Sequence, residues 1–338
     1  MNTYTTFRVI FLAVVISLAM GPLAARLARL AGLVDVPGSA PHKHHESLVP
    51  VAGGIVLFLT FLLVSFVEGL YKQPSIPPLL VIPVIVFLFG LLDDRKGLSP
   101  FWKFVGQIIA TVILIYTGTY IRLFHQNWLN YGLTLFWMVG VTNAYNFVDS
   151  MDGLAVGLAA MAAAFFMLVT VESLQFNLSL FSTILLGACL GSFYFNAPPA
   201  RLFLGDAGSQ FLGFVLAALG IAYNPIGFSP LASWYVPILL VGVPIFDAAL
   251  VIFSRLRRGK PIYQAALDHT FHRLVILGMS SNRAVLTMHI AALILGSLAF
   301  LALDQPPAIA NGIFITVFII GVIGVLFLDT RKTITTQL

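Results

Sequence analysis

Asn143-Ala-Tyr-Asn146-Phe-Val-Asp149-Ser-Met-Asp152-Gly153-Leu154 runs without a break into Ala155-Val-Gly-Leu-Ala-Ala-Met-Ala-Ala-Ala-Phe-Phe-Met-Leu-Val-Thr-Val171, so a row of amides and carboxylates opens onto a stretch with no charge. As a helix, Leu154 to Val171 would be about 27 Å long at ~1.5 Å per residue, close to the ~30 Å of a bilayer's hydrocarbon core. The polar row repeats every third residue, at 143, 146, 149 and 152, which would set it along one side of a helix end or tight turn. Asn and Asp also cap helix ends, but four at this spacing between apolar runs ask for more than capping.

The same contrast extends over the whole chain of 338 residues, 59% hydrophobic and 9% charged, against roughly a quarter charged in a soluble domain. A soluble globule is excluded, and most of the surface must face lipid. Spanning windows centre near residues 17, 59, 85, 112, 138, 163, 187, 216, 243, 294 and 318. The expectation is an all-α polytopic integral membrane protein of about eleven transmembrane helices, with residues 1–338 forming a single transmembrane catalytic domain and no separate soluble domain. The regions around Pro83 and Gly242 to Pro244 are candidates for kinks. Arg26 and Arg29 follow the first apolar run instead of preceding it, so that run reads as a retained helix and not a signal peptide. The single cysteine, Cys189, rules out a disulfide framework or a Cys-based zinc site. The basic residues are too scattered to track nucleic acid.

The positive-inside rule orients the chain. With the N-terminus outside and the C-terminus cytoplasmic, 15 of the 18 Lys and Arg fall on the cytoplasmic side, leaving Arg8, Lys72 and Arg122 outside. Ten of the 13 acids partition the same way, leaving Glu68, Glu172 and Asp304. The rule is silent about carboxylates, so their clustering needs another cause. A site for an anionic, metal-bound substrate supplies one.

Five loops carry that chemistry. The first holds Asp35, His42-Lys43-His44-His45-Glu46 and Gly53-Gly54; the second holds Asp93-Asp94-Arg95-Lys96 followed by Lys103. Adjacent carboxylates repel, which raises the proton affinity of one and offers a base, although a solvated helix terminus neutralised by Arg95 and Lys96 has the same sequence. The third is the 143–152 row, whose oxygens suit a hard cation. In the fourth, Phe203-Leu-Gly205-Asp206-Ala-Gly208-Ser209, glycines around an Asp at a helix start leave backbone N–H groups for an anion and a carboxylate for its cation. The last joins Asp247 and a basic run to Asp268-His269-Thr-Phe271-His272-Arg273, a set suited to pyrophosphate.

Together these loops resemble, in order from Asp35 to Arg273, the polyprenyl-phosphate N-acetylhexosamine-1-phosphate transferase superfamily (glycosyltransferase family 4), most closely its bacterial undecaprenyl-phosphate GlcNAc-1-phosphate transferases. The resemblance implies a phosphotransferase that moves HexNAc-1-phosphate from a UDP-N-acetylhexosamine to undecaprenyl phosphate and releases UMP, at the start of cell-envelope polysaccharide synthesis. It implies Mg²⁺, or Mn²⁺, as cofactor and a bacterial inner membrane location with the site on the cytoplasmic face. By position, Asp93 and Asp94 match the paired-Asp motif and Lys103 its downstream Lys, giving the catalytic set. Asn146 and Asp206 match metal-binding positions. Lys43, His45, Asp149, Asp152, Phe203, His269, His272 and Arg273 match substrate-binding ones, with Asp152 and Phe203 toward uracil and the last three toward pyrophosphate. Ser150 and Phe271 depart from the usual Gly and His, and the second departure puts the number of pyrophosphate donors in question. The late loop lacks the three-His run of phospho-MurNAc-pentapeptide transferases, the nearest alternative.

A transporter or flippase is the competing class and predicts mid-membrane ionisable residues and inverted repeats, neither of which the sequence displays. Expected partners are the sugar nucleotide, the polyprenyl phosphate and membrane lipid, with no nucleic acid; a homodimer is left open.

Overall fold

The computed structural model describes residues 2–35, 48–262 and 266–330, and Lys43 and His45 lie outside them. The described residues form α1 (Thr3–Leu30), β1 (Val34–Asp35), β2 (Val49–Pro50), α2 (Gly53–Val67), α3 (Pro77–Val81), α4 (Pro83–Lys96), α5 (Pro100–Tyr116) and α6 (Asn127–Val148). There follow α7 (Leu154–Glu172), α8 (Phe176–Asn196), α9 (Gly205–Ala222), α10 (Pro230–Ser233), α11 (Val236–Leu240), α12 (Gly242–Arg257), α13 (Thr270–Ile276), α14 (Ser281–Ala302) and α15 (Pro307–Asp329).

Each apolar window coincides with a helix or a pair of them. Among the described residues seven helices are long and apolar enough to cross a membrane, α3 and α4 together counting as one, and α10–α11 with α12 make an eighth, bent by 68°. The chain is therefore an all-α, multi-pass membrane protein. The count is smaller than eleven for local reasons: α2 and α5 have only 15 and 17 residues, and α6 carries Asn127, Asn130, Asn143 and Asn146. The breaks fall where expected, at Ile82 beside Pro83 and at Val241 beside Gly242.

Helix α9 runs through the middle, packed by α2, α4, α6 and α7. Its approach to α2 requires glycine, since a β-carbon on Gly54 would lie 2.4 Å from the Gly208 nitrogen. A close crossing suits helices in lipid, where association depends on packing more than on apolar burial. Phe58, Phe61, Phe87 and Phe211 then interlock around α9. At the opposite extreme, α15 leaves Ile315, Phe318, Ile319, Ile320 and Ile323 exposed, a surface for lipid contact.

Alternating helix directions gather the C-terminal ends of α4, α6, α8, α12 and α15 and the start of α9 at one end of the bundle. At the far end Arg8 pairs with Glu68 at 2.5 Å, joining the start of α1 to the end of α2.

Candidate active site

Helix α4 ends in Gly97, whose left-handed φ of 65° closes the last turn on the Asp93 carbonyl. Pro100 then starts α5 at a position where its missing N–H costs nothing. This short reversal brings Lys103 back over the end of α4. Its Nζ lies 2.7 Å from Asp93 Oδ2 and 3.2 Å from Asp206 Oδ1. The second Asp93 oxygen accepts the Leu98 N–H at 2.5 Å. Among the described residues, the pair is thus engaged by Lys103 and by the start of α9 instead of by Arg95 and Lys96, the neutralising residues of a solvated terminus.

Asp94 turns the other way. Its carboxylate accepts the backbone N–H groups of Asp206 and Ala207 at 2.7 and 3.0 Å, capping the first turn of α9. The glycine-rich turn therefore presents these amides to Asp94, whereas the sequence suggests they would be left for a ligand. Gly205 makes this fit: its φ is +73°, and a β-carbon there would meet Asp94 Oδ2 at 2.7 Å. The side chain of Asp206 is left facing Lys103 and Asn146, whose amide nitrogen donates to Asp206 Oδ1 and, at 3.0 Å, to Ser209 Oγ.

The three-residue row fans out because α6 stops at Val148. Asn143 lies one turn deeper and donates to Gln107 Oε1 at 2.7 Å, and Gln107 in turn donates to Gln210 at 3.1 Å. Asp149 follows the helix end, where burial and the charges of Asp206, Asp94 and Asp152 hold its carboxyl well above the ordinary carboxylate range. Asp152 accepts the Ala200 N–H at 2.9 Å and joins the start of α7 to the end of α8. Ser150 is exposed in the intervening turn.

Phe203 is fixed by its backbone. Its N–H donates to Pro50 at 3.0 Å and its carbonyl accepts Gly53 N–H at 2.8 Å, so the returning strand of the first loop is stitched to the chain entering α9. His269 stands at the rim, with Nδ1 2.8 Å from Asp247 and its ring 6.0 Å from Phe147, next to Asn146. The His272 ring is 5.8 Å from that of His269. Phe271 packs into the apolar core at 5% exposure, so the departure at this position fills a core site. Arg273 does not join the rim: it is completely buried and bonded to protein.

Asp93, Asp94, Asn146, Asp206 and Lys103 are thus brought into one hydrogen-bonded set, with Asp149 in electrostatic range. The partners absent from the sequence argument are Gln107 and Gln210, while Ser209 stands in the fourth loop's motif with no role given to it. The two glutamines carried a readable signal as uncharged polar residues within otherwise apolar helices.

A family profile described as Glycosyl transferase family 4 matches residues 76–224, which hold this set. A Bacillus subtilis (strain 168) protein named probable undecaprenyl-phosphate N-acetylglucosaminyl 1-phosphate transferase is 31% identical over 289 residues, covering 82% of this chain and 79% of its own. The chain belongs to glycosyl transferase family 4. Other relatives include a decaprenyl-phosphate N-acetylglucosaminephosphotransferase of Mycobacterium tuberculosis (strain CDC 1551 / Oshkosh), 31% identical over 82% of this chain and 77% of its own. A phospho-N-acetylmuramoyl-pentapeptide-transferase of Bacillus anthracis is 29% identical over 81% of this chain and 90% of its own.

Four carboxyl groups share one ammonium, so the family 4 site is short of positive charge, and burial together with the neighbouring carboxylates holds Asp149 toward its protonated form. Among the described residues no cluster of three or more His, Cys, Asp or Glu forms a closed metal cage. One or two oxygen ligands with the remaining positions left to water and phosphate is the manner in which Mg²⁺ binds. The side-chain oxygens of Asp206 and Asn146 are of the kind such an ion takes.

Proposed function

We propose that this chain transfers HexNAc-1-phosphate, with GlcNAc as the sugar, from a UDP-sugar to undecaprenyl phosphate and releases UMP. The observation that carries this reading is the excess of carboxylates around Lys103 at the entrance to α9, at one end of a membrane bundle. Such an end can receive a soluble sugar nucleotide while the lipid acceptor arrives from the bilayer. We place it on the cytoplasmic face of a bacterial inner membrane, with eleven spans and the N-terminus outside, on the distribution of Lys and Arg. The same charge sorting supports one catalytic domain over the whole chain.

Bringing two phosphate-bearing anions together is the physical difficulty. A divalent ion, bound by Asp206 and Asn146, would offset charge on the pyrophosphate. Lys103 adds a cationic donor, and His269 and His272 border the same space from α13. Asp93 has both oxygens on donors, Lys103 and Leu98 N–H, which suits it to positioning Lys103 more than to accepting a proton. The acceptor phosphate, with a second pKa near ~6, is already largely ionised at pH 7 and makes little demand for a base. Asp149, Asp152 and Phe203 lie beside the cluster as candidate contacts to the nucleoside.

Incorporation of radiolabelled sugar phosphate into undecaprenyl phosphate by the purified full-length protein tests the reading. Label from UDP-GlcNAc with matching UMP release is expected. Transfer from UDP-MurNAc-pentapeptide alone would move the chain to the other branch, and no transfer from any UDP-amino sugar would overturn the assignment.

A further inference from the structure

Arg273 has the chemistry of a phosphate ligand and the placement of something else. Its side chain has no exposure. Nε donates to the Asp268 carbonyl at 2.9 Å, one terminal nitrogen to the Leu328 carbonyl at 2.8 Å, and the other to Ser254 Oγ at 2.7 Å. With three nitrogens committed to acceptors on three different segments, the planar fork cannot also reach a ligand. It stands 3.7 Å from Asp329 at the end of α15. Asp329, only 3% exposed, also takes Arg257 at 2.6 Å and Arg258 at 3.3 Å.

The segment held by this cluster is the one that bears the histidines. Arg255 grips the Asp268 carboxylate with two bonds, at 2.9 and 2.7 Å, while Arg273 grips the carbonyl of the same residue. Asp247 then takes the Thr270 N–H at 2.6 Å and His269 Nδ1 at 2.8 Å, which turns Nε2 to the opposite side of the ring. Residues 268 to 273 are therefore tied to α12 at Asp247, Ser254 and Arg255 and to α15 at Leu328 and Asp329.

We infer that Arg273 and Asp329 are positioning residues: they lock the His269–His272 segment against α12 and α15, so that the last helix of the bundle, remote from the carboxylate cluster in sequence, sets the geometry of the pyrophosphate donors. The inference rests on the assignment of His269 and His272 to the sugar nucleotide made above.

A double-mutant cycle in the full-length purified protein tests it, with Arg273→Gln, Asp329→Asn and the double variant compared for KM toward UDP-GlcNAc, KM toward undecaprenyl phosphate and kcat. Each single change should raise the sugar-nucleotide KM about tenfold and leave the acceptor KM in place, and the double should be no worse than the more damaged single. Multiplying effects, or a normal KM in Asp329→Asn, would overturn the inference and leave the Arg273 cluster a stabilising element with no hold on the sugar-nucleotide site. Should the charge variants fail to fold, Ser254→Ala removes one Arg273 partner without stranding a charge. It should raise the same KM severalfold, and an unchanged KM would count against the lock. His269→Gln separates the two levels: if it leaves the sugar-nucleotide KM normal, the underlying assignment fails, whereas a raised KM there with a normal Asp329→Asn sinks only the lock.

Discussion

Two charged clusters sit at the same end of this molecule and are built on opposite plans. Around the start of α9, Asp93 and Asp206 share one cation, Lys103, while Asp94 caps the helix and Asp149 lies in electrostatic range; the Lys103 and Asp206 side chains keep 22% and 28% exposure. Around the end of α15, Arg255, Arg257, Arg258 and Arg273 enclose Asp268 and Asp329, whose side chains keep only 8% and 3%. The first has charge to spare and an opening toward water; the second has its carboxylates paired and buried. A site awaiting a ligand carries an imbalance that the ligand completes, whereas each buried carboxylate of a structural cluster must already have its cation, since a buried unpaired charge is too costly to keep; the arginines in excess here, Arg257 and Arg258, keep 54% and 26% exposure. Sequence similarity to a phosphate-binding motif covers residues from both, and only burial separates them.

The largest test of the contrast is Asp206→Asn, which should lower metal-dependent UMP release by about a thousandfold or more, because it removes charge from the centre of the unbalanced cluster. A turnover near that of the natural sequence would refute the placement of the ion. Lys103→Met should come next, with roughly a hundredfold loss of kcat, since the hydrocarbon chain fills the space without the ammonium. In the buried cluster, Arg255→Met strands the Asp268 carboxylate and should cost about 3–5 kcal/mol of stability, read as a lower thermal midpoint in detergent.

Asp268 adds a pH test on the same side. Burial opposes its ionisation, but hydrogen bonds and charge from Arg255, with help from His269 and Arg273, leave it below the ordinary carboxylate range. A depressed folded value means that the stabilisation is present above the unfolded pKa, about 3.9, and is lost as pH falls through the folded value. The advantage of the natural chain over Asp268→Asn should therefore be full at neutral pH and shrink below about pH 4. The smallest effect expected is that of Gly205→Ala, which forces a β-carbon toward Asp94 from a left-handed backbone. It should cost about 1–2 kcal/mol and leave Asp268 pairing untouched.

How far the sequence could be read follows the same division. Helices appear in it because lipid demands long uncharged runs, and every apolar window has its helix; the even spacing of windows could not reveal that α2 and α5 are too short to meet the spanning length by themselves. The residues of the unbalanced cluster were legible because their types are unusual next to transmembrane runs, as at Asp93-Asp94 and Asn146. What each does with its second partner was not. Nothing local to Asp94 says that it caps a helix more than a hundred residues later, and nothing in His269-Thr-Phe-His272-Arg273 says that Arg273 faces inward while His269 meets Asp247. Those are facts of tertiary packing, set by which face of a short helix happens to be covered.

The cap made by Asp94 bears on how the protein should respond to its medium. Many phosphate sites hold their anion on fixed backbone dipoles, whose partial charges respond to salt less than full charges do. Here the first amides of α9 are already engaged by a carboxylate, so recognition falls to charged side chains and a bridging cation at partly open positions. Attraction of that kind is screened over about 8 Å at physiological ionic strength. Affinity for the sugar nucleotide should accordingly decline as potassium chloride is raised, more steeply than it would for a substrate cradled by main-chain N–H groups.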